Sequence, residues 1–438
     1  MQIAILALGS QGDVQPYVAL GRGLQEAGHS LRLITHENYA GFVTSHGLEF
    51  WPARGDAQAA VNAPELRALV EKGNFIALTR HTAKLAAEAA LQWGEDSLAA
   101  CDGVELLLAG IGGLNVAIAL AEKRGIPLLQ AYVLPFTPTS AFPGVLFPPT
   151  IARLGGFANR ISHHLVRQVM WQGFRAADGR MRREVLGLPP APFAGPYRAQ
   201  SLRGTPVLYG FSPSVIPKPA DWGVDVHVTG YWTLDPTPDW MPPPALVDFL
   251  ASGPPPVYVG FGSMGNRNPE ETAALVLRAI KQTGQRAVLL SGWGGLAAGE
   301  VAESVFLVDS VPHAWLFPRM AAVVHHGGAG TTGAGLTAGV PSIVIPFFGD
   351  QPFWGKRVAE LGVGPAPIPR QQLSVERLAQ AIQQAVSDQP MRQAAARLGE
   401  KIRAEDGVAA ALALVGQMEK SGRSRLGSVQ NELERRHL

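Results

Sequence analysis

Two doubly wound α/β domains of Rossmann type, facing each other across a cleft, are what this sequence predicts. Three observations carry that expectation. Short apolar runs alternate with helix-length amphipathic stretches, the pattern of βαβ units around a parallel sheet. The pattern halts in a proline-rich stretch, Ser212–Pro256, and then restarts. The length of 438 residues also exceeds what one ordinary core holds.

In the first half Gln2–Leu8 reads as a strand, followed by the turn Gly9–Ser10–Gln11–Gly12. Helical spacing runs from about Gln15 to Ala27 and closes at Gly28, and Leu31–Thr35 reads as the next strand. Leu106–Ala109, Pro127–Val133 and Val207–Tyr209 are further strands, with Ala83–Ala100 and Asn159–Arg183 read as helices between them. The prolines between Ser212 and Pro256 leave few helix-length patterns and read as a connection with little regular structure.

The second half then runs strand Pro256–Phe261, helix Pro269–Thr283, and strands Arg286–Leu290, Val305–Val308 and Ala321–His325. A helix at about Gly330–Ala338, strand Ser342–Pro346, a helix near Trp354–Leu361 and two alanine-rich helices to about Lys420 complete it. The expected boundaries are a first domain at 1–214, a linker at 215–250, a second domain at 251–420 and a charged tail at 421–438. Open sheets of this kind bind ligands at the C-terminal ends of their strands, which here would line the cleft.

Composition narrows the function classes. Hydrophobic residues make up 47% and charged residues 16%, a well-buried globular profile. A net charge of +2 gives no electrostatic case for nucleic acid as a partner. Cys101 stands alone, so no internal disulfide forms, and no Cys/His group has zinc spacing. The N-terminus lacks a basic leader, and the most apolar stretch, Leu106–Ala121, is broken by Gly110, Gly112, Gly113 and Asn115. The expectation is a soluble, cytoplasmic protein with no metal and no cofactor. Transient contact of one face with a membrane stays open, as does the oligomeric state.

The richest segment is Ala322–Gln351. An apolar strand ends in His325 and His326, then opens into Gly327, Gly328, Ala329, Gly330, Thr331 and Thr332 before a helix. Small residues allow close backbone approach, and a helix N-terminus offers unpaired N–H groups with partial positive charge. With two hydroxyls and imidazole donors this suits a diphosphate without a metal; the same spacing also fits a glycine-rich turn with core histidines. After the apolar run Ser342–Phe348, Asp350 and Gln351 can serve vicinal sugar hydroxyls, or Asp350 can simply cap the next helix.

Other loops follow strands. Gly260–Met264 brings the hydroxyl of Ser263, and Ser291–Gly295 brings Trp293, an indole that a base could stack on or that packs in the fold. Val311–His313 could offer backbone groups to a pyrimidine edge. In the first half Asp13, just after Ser10, would face the cleft, where it could take a proton from an attacking hydroxyl or cap its helix. Gly9 and Gly12 lack the dinucleotide-binding spacing, and no phosphate-loop lysine motif occurs.

Taken together, GSQGDVQPYVALGRGLQEAGH (Gly9–His29), VTGYW (Val228–Trp232), GFGSM, SGWGGL and Val311–Val358 resemble the two-domain GT-B nucleotide-sugar glycosyltransferases of family 1. The resemblance is nearest to sterol 3-beta-glucosyltransferase-like members and those acting on glycopeptide antibiotics. It implies an inverting, metal-independent enzyme that moves a hexose, glucose first, from a UDP-sugar to a small hydrophobic hydroxylated acceptor. It implies Asp13 as general base, and His325, His326, Ala329, Gly330, Thr331 and Ser263 around the diphosphate. Asp350 and Gln351 would then hold the sugar, with Trp293 and Val311 flanking the uracil.

The chain departs from plant-type members, which carry a histidine base near the end of the first strand and a ribose-binding glutamate where Gly333 stands here. Acceptor residues do not transfer. Phe136 and Phe142, in the aromatic segment Tyr132–Pro149, and Trp171, in the helix beyond it, are the candidates for an apolar acceptor wall, and Ser10 is a further acceptor-side candidate. The rival readings are a nucleotide-sugar epimerase or hydrolase on the same fold and a catalytically silent nucleotide-sugar-binding protein.

Overall fold

A computed structural model describes residues 1–55, 89–237, 239–261, 269–290 and 302–420. Its first sheet has seven strands: β1 (Gln2–Leu6), β2 (Ser30–His36), β3 (Glu49–Ala53), β4 (Leu106–Ala109), β5 (Leu128–Tyr132), β6 (Val207–Tyr209) and β7 (Val226–Val228). They run all parallel in the order β3-β2-β1-β4-β5-β6-β7. The second sheet has five: β8 (Val257–Gly260), β9 (Ala287–Leu290), β10 (Val305–Val308), β11 (Ala322–His325) and β12 (Ser342–Val344). These too are parallel, in the order β10-β9-β8-β11-β12.

Buried on both faces, the strands need no alternation, and Ile3–Leu6, Leu106–Ala109 and Ala322–His325 are continuous apolar runs for that reason. Strand order reverses between β1 and β4 in the first sheet and between β8 and β11 in the second. At such a point neighbouring connections leave in opposite directions and open a crevice at the strands' C-terminal ends. Gly9–Asp13 follows β1 and His325–Thr332 follows β11, so both chemically rich segments lie at reversal points.

Several boundaries differ from expectation. The first helix, Gln11–Glu26, starts a turn earlier than Gln15, because Ser10 in extended conformation takes the N-cap position. The edge strands β3 and β7 were not read from the sequence: β3 mixes Glu49 and Pro52 with its apolar residues, and β7 lies within the proline-rich connection. The connection Ser212–Pro256 is not irregular throughout: it holds edge strand β7 and the helix Pro244–Ala251, which starts on the proline-rich turn. The helical reading of Ala83–Ala100 is met at 89–100, its earlier part lying outside the described residues, as does the tail 421–438.

The halves share packing. The core on one face of the first sheet continues into Leu336, Trp354, Val358 and Leu398 of the second half. Phe211 and Trp354 meet edge to face with centroids 6.2 Å apart, and Arg357 Nε donates to the Val215 carbonyl at 2.6 Å. Glu405 accepts from the hydroxyls of Ser212 and Ser214 at 2.8 and 2.9 Å.

After the helices Val375–Ser387 and Gln389–Arg403 the chain turns back, and a last helix at 407–420 lays Ala411 and Val415 into the core of the first sheet. Sequence grouped this helix with the second domain, at 251–420; its packing lies with the first. A Cβ at Gly407 would lie 2.5 Å from the carbonyl carbon and oxygen of Gly230 and from the carbonyl oxygen of Tyr231. Gly407→Ala is therefore expected to cost about 1–3 kcal/mol through overpacking at this crossing, read as a lower midpoint in urea unfolding.

Candidate active site

β11 ends at His325, paired with Gly260 of β8 and Val344 of β12, in the middle of the second sheet. The imidazole is fully buried, and its Nδ1 accepts from the Gly327 N–H at 3.1 Å. That bond fixes the tautomer: the ring proton sits on Nε2, which is buried and has no partner. Burial, reinforced by the nearby His326 and His313, pushes His325 well below the usual histidine range and keeps it neutral. His326 and His313 are each lowered to about 4, again chiefly by burial. His313 stacks on Phe317 with centroids 4.2 Å apart, while the His326 ring lies against Gly328.

The helix Ala329–Ala338 starts at Gly328, whose residue type supplies no side-chain cap. Thr332 N–H makes the first helical bond, to Gly328 O at 2.9 Å, so the amides of Ala329, Gly330 and Thr331 precede the ladder. The Thr332 hydroxyl is buried and unpartnered, as is His326 Nδ1. One strand-to-helix turn thus gathers three buried polar side-chain atoms without partners. Each such group carries a desolvation cost of about 1–3 kcal/mol until a ligand or water meets it.

Asp350 stands at the N-cap position of the helix Gln351–Glu360 without a side-chain capping bond, and its Oδ2 accepts from the Trp354 indole at 2.7 Å. Burial raises its carboxyl to about 6; the indole bond opposes the rise and the charge of Asp13 adds to it. The two carboxylates therefore sense each other although they belong to opposite halves of the chain. Gln351 turns inward: its Oε1 accepts from the Phe347 and Phe348 amides at 2.7 and 3.1 Å and braces the loop before Asp350.

Asp13 lies in the first turn of the helix Gln11–Glu26, partly exposed. Its Oδ2 accepts from both the backbone N–H and the hydroxyl of Ser10, each at 2.9 Å. Burial raises its carboxyl above the ordinary value, and the two Ser10 bonds pull the other way. The side chain folds back over Gly9, where a Cβ would sit 2.5 Å from Oδ2 and where φ is +146°, so this turn tolerates only glycine. One carboxylate oxygen holds the turn while the other makes no hydrogen bond to Ser10.

Of the acceptor-side candidates, Phe142 is half-buried and packs on His163 at 5.9 Å and on Phe353 of the second half at 5.6 Å. Ser10 is half-buried beside Asp13. Phe136 and Trp171 are corrected to core positions: Phe136 is enclosed by Tyr132, Tyr197 and the Arg167 guanidinium, and Trp171 is fully buried with its indole donating to Phe193 O at 2.9 Å. Val311 is buried in the core under β10, ahead of the short helix His313–Leu316. Ser263 and Trp293 lie outside the described residues.

Sequence reading passed over three residues. Trp354 holds Asp350, its signal being only the i, i+4 spacing. Asn115, read as an interruption in an apolar run, has a buried Oδ1 without a partner just after β4. Tyr231, quoted only within a motif, lays its ring over Gly333, where a Cβ would come within 2.7 Å of it, and its buried hydroxyl has no partner. The space of the missing ribose-binding glutamate is therefore filled by the linker.

Comparison with known proteins follows the same division. Residues 3–143 match the glycosyltransferase family 28 N-terminal domain, and residues 293–411 match the erythromycin biosynthesis protein CIII-like C-terminal domain. A sterol 3-beta-glucosyltransferase of Arabidopsis thaliana is 40% identical over 430 residues, covering 94% of this chain and 67% of its own length. The chain belongs to the glycosyltransferases.

A sterol 3-beta-glucosyltransferase of Cryptococcus neoformans is 38% identical, again over 94% of this glycosyltransferase but only 27% of its own length. Among solved structures, the glycotransferase of kitacinnamycin superposes with a TM-score of 0.67 at 19% identity, covering 95% of this chain and 98% of that one. SsfS6 of Streptomyces sp. SF2575, complexed with thymidine diphosphate, does so at 0.62 and 19%, over 95% and 99%. The two-domain GT-B architecture is thus the fold of this glycosyltransferase.

The raised carboxyl of Asp350 has a sign that can be checked. Its folded value of about 6 lies above the ordinary 3.8, so the folded state binds the proton more tightly than the unfolded chain. The group's contribution is full below about pH 4 and declines as pH rises towards about 6. Asp350→Asn, which keeps a carbonyl for the Trp354 indole, is expected to remove that decline. Unfolding free energies measured from pH 4 to pH 7 should show the variant gaining on the wild type across this window.

Proposed function

We propose that this glycosyltransferase moves a hexose, glucose first, from a UDP-sugar to the hydroxyl of a hydrophobic acceptor of sterol type. The displacement is single and inverting, and uses no metal. The observation that carries the reading is the turn at β11, where a helix N-terminus and a neutral buried imidazole with an unpaired N–H stand together. The relatives' activity on sterols supports the acceptor class, and the nucleoside diphosphate in SsfS6 supports a nucleotide donor.

In this reading the acceptor O–H gives its proton to Asp13 while its oxygen forms a bond to the anomeric carbon. The bond from that carbon to the diphosphate oxygen breaks, and its electron pair leaves with UDP. Ser10 keeps the Asp13 carboxylate aimed, and its desolvation strengthens it as a base. The departing charge is met by the amides of Ala329–Thr331, the Thr331 and Thr332 hydroxyls, His326 and the Nε2–H of His325. A neutral histidine suits this role because it donates without needing to gain charge as the reaction proceeds. Asp350, held by Trp354, accepts from sugar hydroxyls.

Among the described residues no group of His, Cys, Asp and Glu has the arrangement of a metal site, and no helix is long and apolar enough to cross a membrane.

Two variants test the assignment together. Asp13→Asn should bind UDP like the wild type by calorimetry yet lose about 10²–10⁴-fold in kcat towards a sterol acceptor. His325→Ala should instead weaken UDP binding. Unchanged turnover in the first, or unchanged UDP affinity in the second, would sink the respective role. Turnover in excess EDTA should equal that in Mg²⁺, and a full loss that Mg²⁺ restores would overturn the metal-free step.

A further inference from the structure

The helix Gly156–Met181 has two unlike faces. Inward, His163, Val166 and Trp171 are buried, and Ser162 and Asn159 bond the segment that carries Phe142: Ser162 Oγ accepts from Gly144 N–H at 2.8 Å, and Asn159 Nδ2 donates to Ser140 O at 3.0 Å. Outward, Phe157, Ile161, Leu165 and Val169 follow one another at i+4 spacing with 80%, 41%, 47% and 37% of their surface exposed. Leu154 extends the row at 71% in the turn just before the helix.

Phe193 extends the row at its other end. Its carbonyl is held by Gln168, Trp171 and Gln172, its ring lies against the Arg175 guanidinium, and 67% of it is exposed. Six of the nine large apolar side chains that the described residues expose thus gather on one face. Scattered exposure of single apolar residues is ordinary; a contiguous row marks contact with something apolar.

Charge identifies what that is. Arg153, Arg160, His164 and Arg175 are exposed among or beside these side chains. From Ile126 to Ala177 the chain contains no Asp or Glu. The first acid beyond, Asp178, is buried on the inner side against Arg182 at 2.9 Å. A 26-residue helix with an apolar row, arginines at its borders and a single acid, Asp178, buried on the inner side matches an anionic bilayer surface, where the row enters the acyl boundary and the arginines meet lipid phosphates.

We propose that this face docks the protein onto anionic membranes, the helix lying in the plane of the interface. The inner face of the same helix packs on the Phe142 segment, so docking sets the acceptor side of the cleft next to the lipid. The inference stands independently of the donor reading.

The test uses the full chain with sedimenting vesicles of phosphatidylcholine alone and of phosphatidylcholine with phosphatidylserine. Wild type should bind the anionic vesicles and lose binding at high salt. Phe157→Ser with Ile161→Ser, and Arg153→Glu with Arg160→Glu, should each weaken binding at least about tenfold while UDP affinity by calorimetry stays at wild type. Because Cys101 is buried, Ile161→Cys carries a polarity-sensitive fluorophore as its accessible thiol. That label should shift to the blue on anionic vesicles in a protein that still binds UDP.

Sedimentation with neither vesicle, equal binding of the arginine variant, or an unshifted label would overturn the proposal. So would concentration-dependent dimerisation without lipid that Phe157→Ser with Ile161→Ser abolishes, since the face would then belong to a second copy.

Discussion

A parallel sheet that reverses its strand order leaves a crevice at the reversal, and the candidate site of this protein is built at two such crevices. In the first sheet the reversal lies between β1 and β4, in the second between β8 and β11. A helix begins directly after β1 and after β11, so each crevice has backbone N–H groups with no ladder partner. The two sides meet that shortage differently. After β1 the protein supplies its own acceptor, the Asp13 carboxylate, which also bonds the Ser10 hydroxyl. After β11 glycine and alanine supply none, and the amides are left for a ligand.

Burial dominates the electrostatics. It lifts both carboxyls and lowers all three histidines, so the cleft holds less charge than its formula suggests. A second polyanion brought near Asp13 and Asp350 would otherwise be repelled. The helix N-terminus offsets that repulsion with partial positive charge fixed in place, and the histidines contribute directed donors rather than cations. Trp354 is as important here as the carboxylate it holds, because the indole sets which oxygen of Asp350 is committed and which is not.

Much of the fold was legible because its strands are apolar runs flanked by glycine turns, a signal that survives without any long-range information. β1, β4, β6 and β11 were found in this way to within a few residues. β3 and β7 were not, since a short edge strand is defined by its neighbour more than by its own period. At the candidate site, the placement of His325–Thr332, Asp13 and Asp350 beside strand ends was legible from residue type. Their partners were not. Nothing local marks that Tyr231 will cover Gly333, that Gln351 will turn its carbonyl inward, or that Phe136 and Trp171 will be enclosed. Each depends on contacts between distant segments, and several depend on contacts between halves.

The return of the last helix to the first sheet has a mechanical consequence. The chain passes between the halves twice, once outward near Gly230 and once back near Gly407, and the two passages touch. A body tethered by a single strand can swing and twist freely; one pinned by two adjacent strands keeps essentially one axis of rotation. The two crossings therefore hold the halves at two adjacent points rather than one, which limits how far one half can twist against the other.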